Sequence, residues 1–167
     1  SINPFWFIVA LRQRSTTMPM TSRRCSVRLP CTYCRRPRCA DAGALGVVIT
    51  GRSEEKGRTV GAQLEQRGAR AHFVRADLEQ VDDCRRVIRE AHAQFGRIDG
   101  LVNSAATTDR GHLDDTSVEL WDRMMALNVR APFLLTQEAV RVMKRVGQGG
   151  SIVNVLSMSA NGGQPFL

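Results

Sequence analysis

At 167 residues the chain suits one domain with a real core, and its apolar fraction of 43% is ordinary for a globular protein. A formal charge of +8 points to a nucleic-acid binder until its distribution is read: residues 1–40 hold eight arginines and no acid, whereas residues 41–167 carry basic and acidic residues in equal number. A neutral domain behind a short basic segment argues against nucleic acid as the partner. No stretch is long enough to span a membrane, and Cys84 is the one cysteine outside the basic segment, which fits a reducing, cytoplasmic setting.

Taken from the start, FWFIVAL (Phe5 to Leu11) is a short apolar run that imitates a strand, but no amphipathic helix separates it from the next one at Val47. Residues 12–40 show no useful periodicity and are interrupted by Pro19, Pro30 and Pro37, so they are expected to be disordered. Cys25, Cys31, Cys34 and Cys39 include one CxxC (CTYC) among arginines. A zinc-holding, nucleic-acid-binding module is therefore the alternative function, weakened by the lack of a second CxxC; no metal site is assigned. All fourteen glycines fall at or after Gly43. The expected organisation is a Cys/Arg-rich leader over 1–42 and a domain over 43–167.

From Gly46 the pattern is regular. GVVIT (Gly46 to Thr50) reads as a buried strand, and Ser53 caps a helix that carries Glu54 and Glu55 in its first turn and ends at Gly68. AHFVRAD (Ala71 to Asp77) is a second strand, and residues 79–95 form a helix with Val81, Val87, Ile88, Ala91 and Phe95 on one face. GLVNSA (Gly100 to Ala105) is a third strand. Thr116 or Ser117 caps a long helix reaching Val146, and SIVNVLS (Ser151 to Ser157) is a fourth strand. Strands apolar on both faces, alternating with helices, predict a doubly wound parallel α/β sheet, which binds ligands at the carboxyl ends of its strands.

The residues just past those ends are the candidates. Arg52 is either a solvated helix-start arginine or a partner for a 2′-phosphate. Asp77 either caps the next turn or accepts from an adenine amine. Asn103 can staple neighbouring strand ends. Asn128 shares the apolar face of Trp121 and Met124, and Pro132, four residues on, has no N–H to give to its carbonyl. That leaves either a kinked helix with a core asparagine or a carbonyl able to hold a water. Ser157 has no obvious histidine base among His72, His92 and His112, so hydrogen bonding suits it better than covalent catalysis.

In order, VVITGRS, RADLEQ, GRIDGLVNSAA, LWDRMMALNVRAPFLLTQ and GGSIVNVLS resemble the short-chain dehydrogenase/reductase family over about residues 44–167. The family's N-N-A-G motif is here Asn103, Ser104, Ala105, Ala106, matching at its first and third positions. The resemblance implies a Rossmann-type doubly wound parallel sheet and hydride transfer between a nicotinamide and an alcohol or carbonyl substrate. By motif position Ser157 would hydrogen-bond the substrate oxygen and Asn128 hold a water of the proton relay. Asp77 and Leu78 would sit by the adenine, and Asn103 and Ala105 would border the cofactor near its ribose. Arg52 would favour NADP over NAD, and a homo-oligomer would form through the long helix 117–146. Two parts of the family pattern are not matched. Its catalytic tyrosine lies thirteen residues after the serine, beyond Leu167, and the sole tyrosine here is Tyr33. Its T-G-x-x-x-G-x-G turn has no counterpart in the glycine-free residues 1–42. The chain therefore reads as an incomplete sheet, lacking its central first strand and its C-terminal strands. It is expected to leave an apolar gap between two strand pairs and to be an inactive fragment, its leader explicable by a reading-frame slip.

Overall fold

The computed structural model describes residues 7–12, 38–41, 43–108, 112 and 114–157. The elements are β1 (Phe7–Arg12), α1 (Arg38–Asp41), β2 (Ala44–Gly51), α2 (Glu54–Glu65), β3 (Arg70–Arg75), α3 (Val81–Phe95), β4 (Gly100–Asn103), α4 (Val118–Met125), α5 (Ala131–Val146) and β5 (Ser151–Asn154). A π-helical turn, Ala126–Arg130, joins α4 to α5.

Local chemistry sets most boundaries. Ser53 caps α2, its hydroxyl accepting from the Lys56 N–H at 3.4 Å, and Glu54 and Glu55 lie in the first turn, where the helix dipole favours them. Of the two candidate caps for the long helix, Ser117 is the one used: its Oγ accepts from the Leu120 N–H at 3.2 Å. Helix α3 ends at Gly96, whose φ of 73° is left-handed and whose N–H reaches the His92 carbonyl at 2.7 Å. Glycine serves a different purpose at Gly57 in α2, where a Cβ would lie 2.4 Å from the Phe73 ring; its absence lets α2 sit close on β3.

The sheet order is β3-β2-β1-β4-β5. β2 pairs in parallel with β3, and β4 with β5. Between these pairs the sequence leaves a gap, and β1 closes it by running antiparallel to both neighbours: Phe7 opposes Thr50 of β2, and Ile8 opposes Val102 of β4. The Rossmann-type architecture thus holds in its two parallel pairs, with a central strand of opposite polarity. Within the 1–42 segment the described residues form β1, where FWFIVAL imitates a strand, and α1. Residues 13–37, with Cys25, Cys31 and Cys34 of the zinc alternative, lie outside the described residues, and among those described no group of three His, Cys, Asp or Glu side chains could hold a metal.

Side-chain alternation along β2 splits the core between the two faces. Val48 joins Val74, Leu101, the α3 residues Cys84, Val87, Ile88 and Ala91, and the α5 residues Leu135 and Ala139. Val47 and Ile49 point the other way, to Val60 and Leu64 of α2 and to Ala40. Val47, Val48 and Ile49 are completely enclosed, and each such side chain contributes about 1.5–3 kcal/mol. Cover thins toward β5, where Val153 and Val155 are exposed. No helix of the described residues is long and apolar enough to cross a membrane.

Candidate functional site

Parallel pairing brings the ends of β2 and β3 to one edge of the sheet, Gly51 opposite Arg75, and the ends of β4 and β5 together, Asn103 opposite Asn154. Both pairs run opposite to β1, so all four ends share that edge. Arg52, exposed, follows β2 directly; Asp77 follows β3 by two residues; Ser157 follows β5 by three. The fourth strand was expected to reach Ser157, yet its ladder stops at Asn154, and Val155, Leu156 and Ser157 extend beyond it exposed.

Asn103 shows why the edge is rigid at its β4–β5 end. The residue is 5% exposed, and its Nδ2 donates to Asn154 Oδ1 at 2.8 Å and to Thr136 Oγ1 of α5 at 3.2 Å. Its carbonyl accepts from the Val155 N–H at 2.8 Å, whereas its buried Oδ1 has no hydrogen-bond partner among the described residues. One amide therefore fastens β4 to β5 and to the long helix. Ala105, half-buried just beyond, packs on the larger core cluster. Asn154 and Thr136 were not singled out from the sequence. Asn154 carried a signal, since LVN and IVN end the two strands alike, whereas nothing local links Thr136 to Asn103, thirty-three residues away.

Asn128 occupies the π-helical turn. The Ala131 N–H bonds to the Ala126 carbonyl across this widened turn, just before Pro132, which cannot donate to the Asn128 carbonyl. Its side chain is engaged at both ends: Oδ1 accepts from the Thr107 N–H at 2.9 Å and Nδ2 donates to the Thr107 carbonyl at 2.8 Å. The half-buried amide of Asn128 is thus spent on the Thr107 backbone. The clamp ties the segment after β4 to the long helix, so Asn103 and Asn128 together fix residues 103–107 at both ends.

The β3 end is held by acids. The Asp77 carboxylate accepts from the Glu79 N–H at 3.1 Å, the capping role, and the Asp77 N–H donates to Asp83 Oδ2 at 2.7 Å. Burial pushes the Asp83 carboxyl up, but the Asp77 N–H and the Arg86 guanidinium, 2.7 Å from Oδ1, outweigh it and hold the carboxyl below its ordinary value. The Leu78 side chain lies in the core at 5% exposure, so what it presents at the edge is backbone. Its carbonyl accepts from the Cys84 thiol at 3.3 Å, and burial foremost pushes that thiol up to about 11, which makes it a packing group.

A groove of about 750 Å³ lies elsewhere, lined by Glu79, Gln80, Met125, Val129, Arg130 and Phe133 among others, and it includes none of Arg52, Asp77, Asn103, Asn128 or Ser157. Its volume records the uncovered outer face of the long helix rather than the strand-end edge.

The edge carries the exposed Arg52 and the half-buried Asp77, with the Asn103 and Asn128 amides engaged in the frame behind them. A diphosphate needs more: backbone N–H groups at a turn leading from the central strand into a helix. The polarity of β1 sends its carboxyl end, Arg12 beside Ala44, to the opposite edge, so no described residue builds that turn.

Comparison with known proteins completes the picture. A family model described as short chain dehydrogenase matches residues 36–167. An uncharacterized oxidoreductase of Thermotoga maritima is 41% identical over 118 residues, covering 71% of this chain and 45% of that protein. A cyclopentanol dehydrogenase of Comamonas testosteroni is 33% identical, covering 71% and 47%. Among solved structures, a short chain dehydrogenase from Burkholderia cenocepacia in complex with NADP superposes with a TM-score of 0.72 at 34% identity, covering 77% of this chain and 51% of that one. The chain spans about half the length of the curated relatives it matches.

Proposed function

The chain belongs to the short-chain dehydrogenase family, and from that membership we propose that its strand-end edge is the adenosine half of an NADP site in an oxidoreductase acting on an alcohol or carbonyl substrate. The observation that carries the reading is Arg52 at the carboxyl end of β2, with Asp77 at the end of the adjacent parallel strand. A guanidinium there suits a 2′-phosphate, where an acid would suit the free 2′-hydroxyl of NAD. Support for NADP also comes from the Burkholderia cenocepacia relative, whose structure is an NADP complex. Bound cofactor would supply the hydride.

The chain's own residues would do the following. Arg52 binds the 2′-phosphate, and Asp77, with the Leu78 backbone, borders the adenine. Asn103 shapes the ribose side from beneath, its Nδ2 already committed to β5 and α5. Ala105 leaves room for the cofactor beside it. The Ser157 hydroxyl holds the substrate oxygen, and the Asn128 carbonyl holds a water for proton transfer. Among the described residues no turn is built for the diphosphate, so we propose that what they supply is the adenosine-phosphate part of the site. The setting is taken as cytoplasmic.

We also propose a second copy of the chain on the outer face of the long helix. Trp121, Met125, Val129 and Phe133 form an exposed apolar stripe there. Its rim alternates Asp122 with Arg123 and Glu79 with Arg130, a pattern complementary to itself under a twofold axis.

Calorimetry with 2′-phospho-ADP and with ADP tests the cofactor reading. The 2′-phosphate should improve affinity about tenfold, the worth of one charge-assisted contact, and Arg52→Ala should erase the difference. Equal affinities for the two nucleotides would overturn the assignment to NADP.

A further inference from the structure

The first turns of α3 reach back past their own N-terminus to the end of β3. We propose that Asp83 and Arg86 are positioning residues of the strand-end edge: together they grip the two peptide groups on either side of Ala76 and so hold the Asp77 carboxylate where an adenine base meets it. Their effect on a ligand rests on the adenosine reading above, to which they add the residues that set base selectivity.

The ladder between β2 and β3 continues one residue past β3, since the Ala76 N–H donates to the Gly51 carbonyl at 3.1 Å. The groups on either side of Ala76 turn to α3 instead. Arg86 Nη2 donates to the Arg75 carbonyl at 2.8 Å, and Asp83 Oδ2 accepts from the Asp77 N–H at 2.7 Å. The same two side chains are bonded to each other, Arg86 Nη2 to Asp83 Oδ1 at 2.7 Å, and Glu90 Oε1 accepts from Arg86 Nη1 at 2.9 Å on the far side. One guanidinium thus serves a carbonyl and two carboxylates, and its planar fork fixes them relative to one another.

Helix α3 gives up its own capping to do this. Its N-cap residue, Gln80, makes no side-chain cap bond. An acid at the third helical position ordinarily reaches back to the N-cap N–H. Asp83 stands at that position but reaches past the N-cap to Asp77. Its neighbour Cys84 gives its thiol to the Leu78 carbonyl at 3.3 Å. The backbone leaving β3 is therefore set by side chains of α3 rather than by the sheet. That setting orients Asp77: Oδ1 accepts from the Glu79 N–H at 3.1 Å, and Oδ2 is the atom left for an adenine amine. The far end of the segment is held separately, by Arg130 Nη2 on the Glu79 carbonyl at 2.8 Å. Loss of the Asp83–Arg86 pair should loosen Asp77 without releasing the whole segment.

Calorimetry on the whole chain with ADP and with inosine diphosphate, IDP, separates positioning from stability. IDP replaces the 6-amine donor with a 6-oxo acceptor facing the Asp77 carboxylate, so the wild-type chain should bind ADP about tenfold more tightly. Arg86→Ala and Asp83→Ala should each bring that ratio to about twofold or less, and the double variant should go no further, because the two side chains act as a unit. The gain from a 2′-phosphate, carried by Arg52, should stay at about tenfold in all of them. Arg141→Ala breaks a comparable ion pair, 2.6 Å to Glu138 on α5, and should leave both ratios unchanged. Should the alanine variants unfold, as circular dichroism would report, Arg86→Lys decides: an ammonium lacks the fork that joins carbonyl to carboxylate, and the ADP-to-IDP ratio should fall about threefold or more. Folded variants that keep the wild-type ratio overturn the positioning role and leave the adenosine reading standing. Loss of the 2′-phosphate gain together with the ratio overturns it too, as a collapse of the whole edge. A wild-type chain that binds ADP and IDP equally, or binds neither, overturns the adenosine reading and the positioning role with it.

Discussion

Replacing Asn128 with alanine removes the amide that clamps Thr107. Two hydrogen bonds, 2.9 Å to the Thr107 N–H and 2.8 Å from Nδ2 to the Thr107 carbonyl, are lost together. Each contributes about 1 kcal/mol net, and a Thr107 backbone group left unsatisfied in its half-buried position costs about 1 kcal/mol more. Water reaching the vacated space recovers part of this, so the expected loss is about 2–3 kcal/mol. The assay is urea unfolding at constant m-value, which isolates stability from changes in compactness. Amide exchange adds a local readout, since residues 104–107 should lose protection while Val47–Ile49 keep theirs. Asn128→Asp refines the test, because a carboxylate can accept from the Thr107 N–H but repels its carbonyl, and it should fall between wild type and alanine. A loss below about 0.5 kcal/mol for Asn128→Ala, the size of an ordinary surface change, would refute the clamp as an organiser of the strand-end segment.

Three further outcomes follow from the same geometry. The depressed Asp83 carboxyl contributes stability that is complete above its ordinary pKa of 3.8 and lost as pH falls through the lower folded value; Asp83→Asn should flatten that acid limb and cost about 1 kcal/mol at pH 7, a modest figure because solvent screens the Arg86 pair. Cys84, its thiol pushed up to about 11, should resist iodoacetamide at pH 8 in the folded chain and react once urea unfolds it, as peptide mass mapping of that site would show. Gly57→Ala gains up to about 1 kcal/mol of helix propensity but drives a Cβ into the Phe73 ring, so a net loss of about 1 kcal/mol is expected, and Phe73→Leu in the same chain should remove most of it in a double-mutant cycle.

Much of this architecture was legible because local rules and the global fold agree. The apolar run at Val47–Ile49 reads as a strand buried on both faces, and all three residues are enclosed. Asn103 was expected to staple strand ends, and its amide does so. The Pro132 signal foretold an irregularity in the long helix but not its form, because a missing N–H is equally compatible with a kink or with the π-helical turn that is present. The two parallel pairs were legible, but the polarity of the central strand was not. FWFIVAL announces a strand by composition, yet period-two patterning is the same read in either direction, and the pairing depends on β2 and β4, which lie far along the chain. Ser157 was placed within a strand because the apolar run continues through Leu156, but β4 ends at Asn103, so the ladder ends at Asn154 and Val155 and Leu156 are left exposed.

The central proposal is that the strand-end edge, and not the groove on the outer face of the long helix, receives a 2′-phosphorylated dinucleotide. Amide chemical-shift mapping of the full chain titrated with NADP addresses it directly. The account expects saturable shifts at Arg52, Asp77, Leu78 and residues 104–107, with Asp122, Val129 and Phe133 unmoved. Shifts centred on those helix residues, or none at the strand ends at millimolar NADP, would contradict it.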